Sequence, residues 1–292
     1  MQLTTELFPD DLSEEAQYEI LYQTAIAQPL EVKIKNAIML IQTYENSALQ
    51  KHPDGYHVAF SGGKDSVVLA KLFEMSGVKF KLHYNNTTID PPELIYFMKE
   101  HYPQVTWHSQ PHHLTSIMFK KGKIPPTRMR RWCCEIYKER GGRGTITSTG
   151  VRAAESKRRK GLWRELTVEK ESKDYILCPI LYWTDGDVWT FIKGNNLPYC
   201  SLYSEGFRRL GCVGCPVGGD RRIEFKRWPG YERLWKNGIT RAWEKWKDIP
   251  NSRTGNPRWW ARWKTAEDVW SWWMEEKNIN DTDDADCQGM LW

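Results

Sequence analysis

The most chemically distinctive stretch of the chain is AFSGGKDSVVL, in its first quarter. A strand-like apolar run ends there and a helical apolar pattern follows. Gly62 and Gly63 allow the backbone to approach a ligand closely and to adopt positive φ, and the start of the helix directs N–H groups toward it. Lys64 can add a positive charge, and Ser61 and Ser66 can donate hydroxyl hydrogen bonds. These residues predict a phosphate-binding turn.

The spacing of this turn distinguishes it from other nucleotide loops. It matches neither the G-x-x-x-x-G-K-S/T loop nor the dinucleotide pattern G-x-G-x-x-G, so neither interpretation applies. The alternative is an ordinary glycine turn before a helix. We favour the anion site because serine, glycine, lysine and aspartate occur together between a strand and a helix.

Two pairs of cysteines form the second chemical feature. Cys212 and Cys215 form a C-x-x-C motif beside glycines, whose sharp turn can direct two thiolates at one metal centre, and Cys133 and Cys134 supply two more. Four thiolates suit zinc as well as iron. Cys200 is an alternative to Cys134, because adjacent side chains on a regular helix point about 100° apart. Buried free thiols are a third interpretation.

Composition and charge narrow the class of protein. The 292 residues include seven cysteines, an odd number that argues against a disulfide framework. The net charge is +5, and the mean hydropathy is −0.66. Without a leader-like segment or an apolar run of about 20 residues, the sequence predicts a globular, cytoplasmic protein that does not enter a membrane.

Basic residues are concentrated in the middle of the chain, whereas the tail from Asp281 to Asp286 is acidic. The basic residues are Lys120, Lys121, Lys123, Arg128, Arg130, Arg131, Arg140, Arg143, Arg152, Lys157, Arg158, Arg159 and Lys160. This concentration of positive charge indicates a polyanionic partner, either the phosphates of a nucleotide or a nucleic acid. The alternative is a basic surface that contacts only solvent.

The elements that must position these residues alternate along the chain. Helical periodicity covers residues 12–50, and Gly77 can end the helix that begins at Asp65. Asp90 is placed to cap another helix, with prolines in its first turn. Strand patterns occur at residues 56–60, 78–84, 105–109, 145–151 and 175–178. This alternation predicts an α/β fold with a mainly parallel, doubly wound sheet, whose ligand crevice lies at the carboxyl ends of the strands.

The last third of the chain is rich in tryptophan. On a continuous helix, Trp259, Trp263, Trp270 and Trp273 would share one stripe, with Trp260 and Trp272 pointing elsewhere. We expect this stripe to pack on the core, with stacking on nucleic-acid bases beside neighbouring arginines as the alternative. The sequence thus predicts an N-terminal helical segment (1–50), a nucleotide-binding domain (51–220) and a helical, Trp-rich C-terminal region (221–292).

The turn resembles the SGGKDS signature of the PP-loop adenine-nucleotide enzymes, and later segments resemble the phosphoadenosine phosphosulfate (PAPS) reductase family. These are GVRAAES at 150–156, PILYWTDGDVW at 179–189 and NLPY at 196–199. The resemblance covers about residues 55–220. It implies that Gly150, Arg152, Ser156 and Arg159 form a second phosphate-binding segment. Apart from the resemblance, arginine suits phosphate binding because its planar guanidinium can donate two parallel hydrogen bonds to phosphate oxygens. Glu155 could position one arginine.

The resemblance also implies a cofactor. Tandem cysteines with a distant C-x-x-C are similar to the cluster-binding pattern of adenosine phosphosulfate (APS) reductases. This implies a 4Fe-4S cluster on Cys133, Cys134, Cys212 and Cys215. Reductases of the family also use a cysteine nucleophile in a Glu-Cys-Gly context near the C-terminus. Here the counterpart is Cys287 in DCQG, where surrounding aspartates disfavour the thiolate.

Two enzymatic mechanisms and one regulatory role follow from this resemblance. In the first, ATP adenylates an acceptor, with Lys64 and Asp65 as catalytic residues and Mg²⁺ held partly by Asp65, and sulfur then displaces AMP. In the second, Cys287 attacks the sulfur of PAPS or APS and an external thiol releases sulfite. The third is nucleotide sensing. Implied partners are a thioredoxin-like or cysteine-desulfurase-like donor and, as one candidate acceptor, a nucleic acid; an oligomer is compatible with the sequence.

Overall fold

The computed structural model describes residues 13–138, 141–168 and 174–275. Its helices are α1 (Glu14–Ile26), α2 (Leu30–Thr43), α3 (Glu45–Lys51), α4 (Lys64–Ser76), α5 (Pro92–His101), α6 (Leu114–Lys121), α7 (Trp132–Tyr137), α8 (Lys157–Leu162), α9 (Asp185–Gly194), α10 (Arg221–Arg227), α11 (Pro229–Trp246) and α12 (Ala266–Glu275). Its strands are β1 (Tyr56–Ala59), β2 (Phe80–Asn86), β3 (Thr106–Ser109), β4 (Ile146–Ser148), β5 (Leu166–Val168) and β6 (Tyr175–Leu177). Arg140 and Cys287, both named above, lie outside the described residues.

The strands form a six-stranded sheet in the order β3-β2-β1-β4-β6-β5. β1 pairs in parallel with β2 and β4, and β4 pairs in parallel with β6. The predicted mainly parallel α/β sheet is therefore confirmed. β5 is antiparallel to β6 and was not predicted, since its three residues carry no distinctive pattern.

The strand order places a topological switch point between β1 and β4. From β1 the chain adds β2 and β3 on one side, and it then returns to add β4 on the other side of β1. In sheets of this kind ligands bind outside the carboxyl ends of the two strands that flank such a point. SGGKDS follows β1 and the segment that begins at Gly150 follows β4, so the sheet brings the two predicted anion-binding segments to one edge.

The N-terminal helical segment matches its prediction. Ala37 and Ile41 of α2 are buried, as their spacing predicted, and α2 packs on α4. Lys33 is also buried, and its Nζ donates to Asp187 at the start of α9 over 2.7 Å. Gly77 ends α4 in the left-handed conformation, at φ 71°. Ala37 and Ile41 therefore face the core, and Gly77 ends α4, as the sequence predicted.

The start of α5 differs from its prediction. The N-cap position is occupied by Pro91, and Asp90 does not cap the helix. The Asp90 carboxylate instead accepts hydrogen bonds from Tyr84 (2.5 Å) and Thr87 (2.6 Å). The prediction failed because two buried hydroxyl donors engage the carboxylate more closely than the helix N–H groups do.

The tryptophans that are buried differ in part from those predicted to form a buried stripe. A short 3-10 helix covers Trp259–Arg262, and Thr265 begins a new helix by exchanging hydrogen bonds with Asp268. Because the helix is interrupted, Trp260 is fully buried. Trp270 and Trp273 are buried as predicted, whereas three tryptophans of the region are half-buried: Trp259, Trp263 and Trp272.

The described residues group into two compact units. One contains those of Met1–His83 and Gly142–Tyr199, and the other those of Tyr84–Gly141 and Cys200–Trp292. Each unit buries its own apolar side chains, for example Leu69 and Phe191 in the first and Trp235 and Trp273 in the second. Within the described ranges, none of the helices combines the length and the apolar character that a membrane span requires.

Candidate functional site

The turn after β1 matches the predicted backbone conformation at one of its two glycines. Gly62 has φ +72°, as predicted, whereas Gly63 has φ −74° and occupies the N-cap of α4 without a side-chain cap. The Ser66 hydroxyl donates to the Gly63 carbonyl at 2.8 Å and accepts from the Ser61 amide at 3.2 Å. Ser66 therefore shapes the turn from within.

The second segment lies directly against the first. A Cβ atom on Gly150 would lie 3.1 Å from the backbone carbon and oxygen of Asp65, closer than most side-chain contacts. Glycine at this position thus allows the end of β4 to approach the start of α4. The neighbouring Arg152 is buried, at 4% exposure, and its Nε donates to Asp65 at 2.6 Å.

Four charged side chains form a compact network at this edge of the sheet. Nη2 of Arg152 donates to Asp185 at 3.1 Å, and Nζ of Lys64 lies 3.2 Å from Asp185 and 3.4 Å from Asp65. Two cations therefore face two carboxylates. Lys64 is buried, whereas 63% of the Asp185 side chain is exposed. Asp185 is therefore the most exposed of the four side chains.

The remaining predicted residues of this segment surround a third cation. The Glu155 carboxylate accepts from Arg159 Nη1 and from the Arg152 backbone amide at 3.2 Å, so the predicted role of Glu155 in positioning an arginine is confirmed. Ser156 caps α8 by accepting from the Arg159 amide at 3.2 Å. Arg159 is partly exposed, at 30% of its side chain.

The cysteines form a separate site in the second unit. Of the six cysteines that the structure describes, Cys133, Cys134, Cys212 and Cys215 line one small cavity of about 30 Å³. The first two belong to the short helix α7, so their adjacency does not keep either away from the cavity. Cys200, the alternative ligand, is buried and does not line it.

The thiols of this cavity influence one another's ionisation. A hydrogen bond from Cys133 lowers the pKa of Cys134, which the nearby Lys138, Arg131 and Arg209 lower further, and the same bond raises the pKa of Cys133. Burial raises the pKa of Cys212. The cavity thus favours the thiolate of Cys134, while the raised pKa values of Cys133 and Cys212 mean that these two thiols need further positive charge to ionise.

The C-x-x-C turn is held by groups that sequence reasoning missed. Gly214 has φ +79°, and a Cβ there would lie 2.8 Å from both Phe225 and Trp235. The Gly214 amide donates to Glu224 at 2.7 Å, and burial raises the pKa of this carboxyl. Thr87 accepts a hydrogen bond from Cys212 at 3.4 Å. The position of Glu224, ten residues beyond Gly214, gave no signal in the sequence.

The donor set of the cavity fits an iron–sulfur cluster. Across the described ranges, no group of three or more histidine, cysteine, aspartate or glutamate side chains is arranged to hold a metal ion. The four thiols nevertheless share one cavity, and a cluster is bound by cysteine thiolates alone. Lys138, which also lines the cavity, has a raised pKa because of the nearby Cys212, so it would offset part of the negative charge of such a group.

The sequence profile of the phosphoadenosine phosphosulfate reductase domain matches residues 55–218. The chain belongs to this family. It is accordingly an enzyme of the PP-loop class, and the matched range contains both predicted anion-binding segments and all four cavity cysteines. The recognition made from the sequence motifs is thus confirmed.

Individual relatives are distant. An adenosine 5'-phosphosulfate reductase of Oceanobacillus iheyensis is 28% identical over 60% of this chain and 78% of its own length. That of Staphylococcus haemolyticus is 26% identical over 64% and 81%. The crystal structure of a PAPS reductase from Candida auris, in a phosphate complex, covers 70% of this chain and 98% of its own, with 17% identity and a TM-score of 0.46.

Proposed function

We propose that the chain uses ATP to activate an acceptor molecule for sulfur transfer. Support comes chiefly from one observation: the complete SGGKDS turn leaves the α4 N-terminus without a side-chain cap, beside the buried cations Lys64 and Arg152. A helix N-terminus with adjacent cations suits the phosphates of a nucleotide. The turn is intact, as expected for an enzyme that must bind a pyrophosphate leaving group.

The first step is adenylation. An oxygen of the acceptor attacks the α-phosphorus of ATP, the bond to the β-phosphate oxygen breaks, and pyrophosphate leaves. Lys64 and the N–H groups at the start of α4 would stabilise the charge that develops on the phosphates. Mg²⁺ would accompany the nucleotide, but Asp65 could bind it only after releasing Arg152 or Lys64, because both cations lie within 3.4 Å of its carboxylate.

The second step exchanges oxygen for sulfur. Sulfide attacks the activated carbon, and AMP leaves with the former acceptor oxygen. If an external donor, such as a desulfurase-type protein, instead supplies the sulfur as a persulfide, its outer sulfur forms a C–S–S bond, and a second thiol of the donor cleaves the S–S bond and is oxidised to a disulfide. Cys133, Cys134, Cys212 and Cys215 would hold the 4Fe-4S cluster, and Lys138 would balance its charge. When bound, the cluster would supply a site for the transferred sulfur or for an electron.

Sulfonucleotide reduction is the second candidate, and the names of the curated relatives favour it. In that reaction Cys287 attacks the sulfur of APS or PAPS, the nucleotide leaves, and a dithiol such as a thioredoxin releases sulfite while it is oxidised to a disulfide. Cys287 lies outside the described residues. The aspartates around it disfavour a thiolate.

One pair of assays separates the two candidates. The anaerobically purified protein and its Cys287→Ser variant are compared for sulfite release from APS and PAPS with a dithiol, and for pyrophosphate release from ATP with sulfide and pooled small RNA as acceptor. We expect pyrophosphate release that is equal in both proteins. Sulfite release by the wild type that disappears in the variant would establish the reductase instead.

A further inference from the structure

One surface of the second unit has an unusually one-sided charge. Residues 119–131 contain six cationic side chains and no acidic one, and residues 241–264 contain seven cationic and two acidic. The chain as a whole is nearly balanced, with 42 Lys and Arg against 37 Asp and Glu. The net charge of the two segments together therefore exceeds that of the whole chain, which is +5.

The fold brings these two segments together. The indole N–H of Trp246, at the end of α11, donates to the Phe119 carbonyl of α6 at 2.8 Å. That of Trp260 donates to the Gly122 carbonyl at 3.1 Å. We call the resulting surface the cationic face; its residues are Lys120, Lys121, Lys123, Arg241, Lys245, Lys247, Arg258, Arg262 and Lys264.

Aromatic rings hold several of these cations in place. Lys245 Nζ lies 4.4 Å from the ring centre of Phe119 and 4.7 Å from that of Trp246, over which Arg258 also lies, at 4.4 Å. Arg241 lies 4.9 Å from Phe119. Contacts of this kind restrict flexible side chains before a ligand arrives, so less conformational entropy is lost when they bind an anion.

The cationic face borders a cluster of half-buried indoles. Trp259 lies 4.8 Å from Trp272 and 5.6 Å from Trp263, between ring centres, and the three rings are tilted. The exposed Arg262 and Lys264 occur in the same short stretch. Aromatic faces beside cations suit a ligand that has both phosphates and accessible bases, and an acidic peptide would use the cations alone.

The same surface leads to the cysteine cavity. Residues 124–131 connect α6 to α7, and this connection is fixed by Trp132, which donates to Ile124 at 2.9 Å, and by Trp273, which donates to Pro126 at 2.8 Å. Pro126 and Cys133 both line the cavity. A polymer bound along the cationic face would therefore pass beside the thiols.

We propose that the cationic face and the indoles Trp259, Trp263 and Trp272 bind single-stranded nucleic acid. The purpose of this binding, delivery of the sulfur acceptor, rests on the proposed function, but the binding itself needs neither ATP nor a cluster. A duplex is a poorer ligand because its base faces are hidden from the indoles.

The test is fluorescence anisotropy with labelled 20-nucleotide single strands of RNA and of DNA, a DNA duplex, and poly-glutamate as competitor. The variant Lys121→Gln/Arg241→Gln/Arg262→Gln removes three cations of the face. We expect it to bind single strands at least tenfold more weakly and to lower the slope of log affinity against log salt by about 2. The matched control is Lys35→Gln/Lys79→Gln/Lys193→Gln, three exposed lysines of the other unit, which should bind like the wild type.

A second variant tests the indoles. Trp272→Leu keeps an apolar side chain and should weaken single-strand binding severalfold without changing the salt slope, since stacking displaces no counterions. Three results would each overturn the proposal. They are an equal loss of single-strand affinity in the two triple variants, binding of the duplex as tight as that of the single strands, and competition by poly-glutamate as effective as that by unlabelled single strands. ATP binding is measured in the same Lys121→Gln/Arg241→Gln/Arg262→Gln variant. If ATP still binds while the nucleic-acid results contradict the proposal, the cationic face is excluded as a nucleic-acid site and the proposed function is not.

Discussion

Nε of Arg152 and Oδ1 of Asp65 are 2.6 Å apart, so the second anion-binding segment is joined by an ion pair to the first. Both side chains also contact a third charged group: Arg152 reaches Asp185, and Asp65 faces Lys64. The cations expected to bind phosphates are thus paired with carboxylates. An arriving polyphosphate must replace carboxylate contacts with its own oxygens.

This competition predicts the behaviour of Asp185→Asn. Removing the charge leaves Lys64 and Arg152 less neutralised, so ATP should bind about two- to fivefold more tightly in the absence of divalent metal, a modest gain because Asp185 is exposed. Calorimetric titration in EDTA measures it. The control is Asp54→Asn, which removes an exposed carboxylate that pairs with Lys81. Weaker binding by Asp185→Asn in EDTA would contradict the competition.

The cavity cysteines predict where iron is bound. Cys212→Ser should lose most of the iron and acid-labile sulfide of the anaerobically purified protein, because it removes one of four thiolate ligands. Cys200→Ala should retain both, since Cys200 is buried away from the cavity lining. Iron loss in Cys200→Ala with retention in Cys134→Ser would assign the fourth ligand to Cys200.

Glu224 is predicted to position the C-x-x-C turn. Glu224→Ala removes the acceptor of the Gly214 amide, so iron should be released to a chelator several times faster. Glu224→Gln keeps an acceptor oxygen and should recover most of the slow release. Lys226→Ala, on the exposed side of the same helix, is the control. If release is as fast in Glu224→Gln as in Glu224→Ala, the charge of Glu224 matters and its hydrogen bond does not.

His113 gives the second unit a pH dependence. Nδ1 accepts from the Thr115 amide at 3.3 Å and Nε2 lies 3.0 Å from the Thr88 carbonyl, which fixes a neutral ring with its proton on Nε2. Burial lowers the pKa of His113 below its usual 6.5. The unfolded chain therefore takes up this proton first, and the contribution of His113 to stability is lost as the pH falls below about 6.5.

Urea unfolding at pH 7.5 and pH 5.5 measures this effect. His113→Asn retains an N-cap acceptor without a titrating group, so its free energy of unfolding should fall less between the two pH values than that of the wild type. His108→Asn is the control, because His108 is an exposed histidine on β3. An equal fall in the wild type and His113→Asn would exclude His113 as the cause.

Much of this architecture follows from local sequence signals. SGGKDS, the cysteine pairs and Gly77 act through backbone conformation or close sequence spacing, and the structure places them as those properties predict. Asp185, Glu224 and Thr87 act through contacts with residues far along the chain, so nothing beside them marks their roles. Asp90 and Trp260 were misassigned for the same reason, since distant donors and a helix break determine where their side chains point.

Equilibrium binding of ATP, APS and PAPS to the anaerobically purified protein, measured side by side by calorimetry, tests the central claim most directly. We predict that ATP binds, that Lys64→Met weakens ATP binding at least tenfold, and that neither APS nor PAPS binds more tightly than ATP. Tight binding of APS or PAPS with no measurable binding of ATP would contradict it.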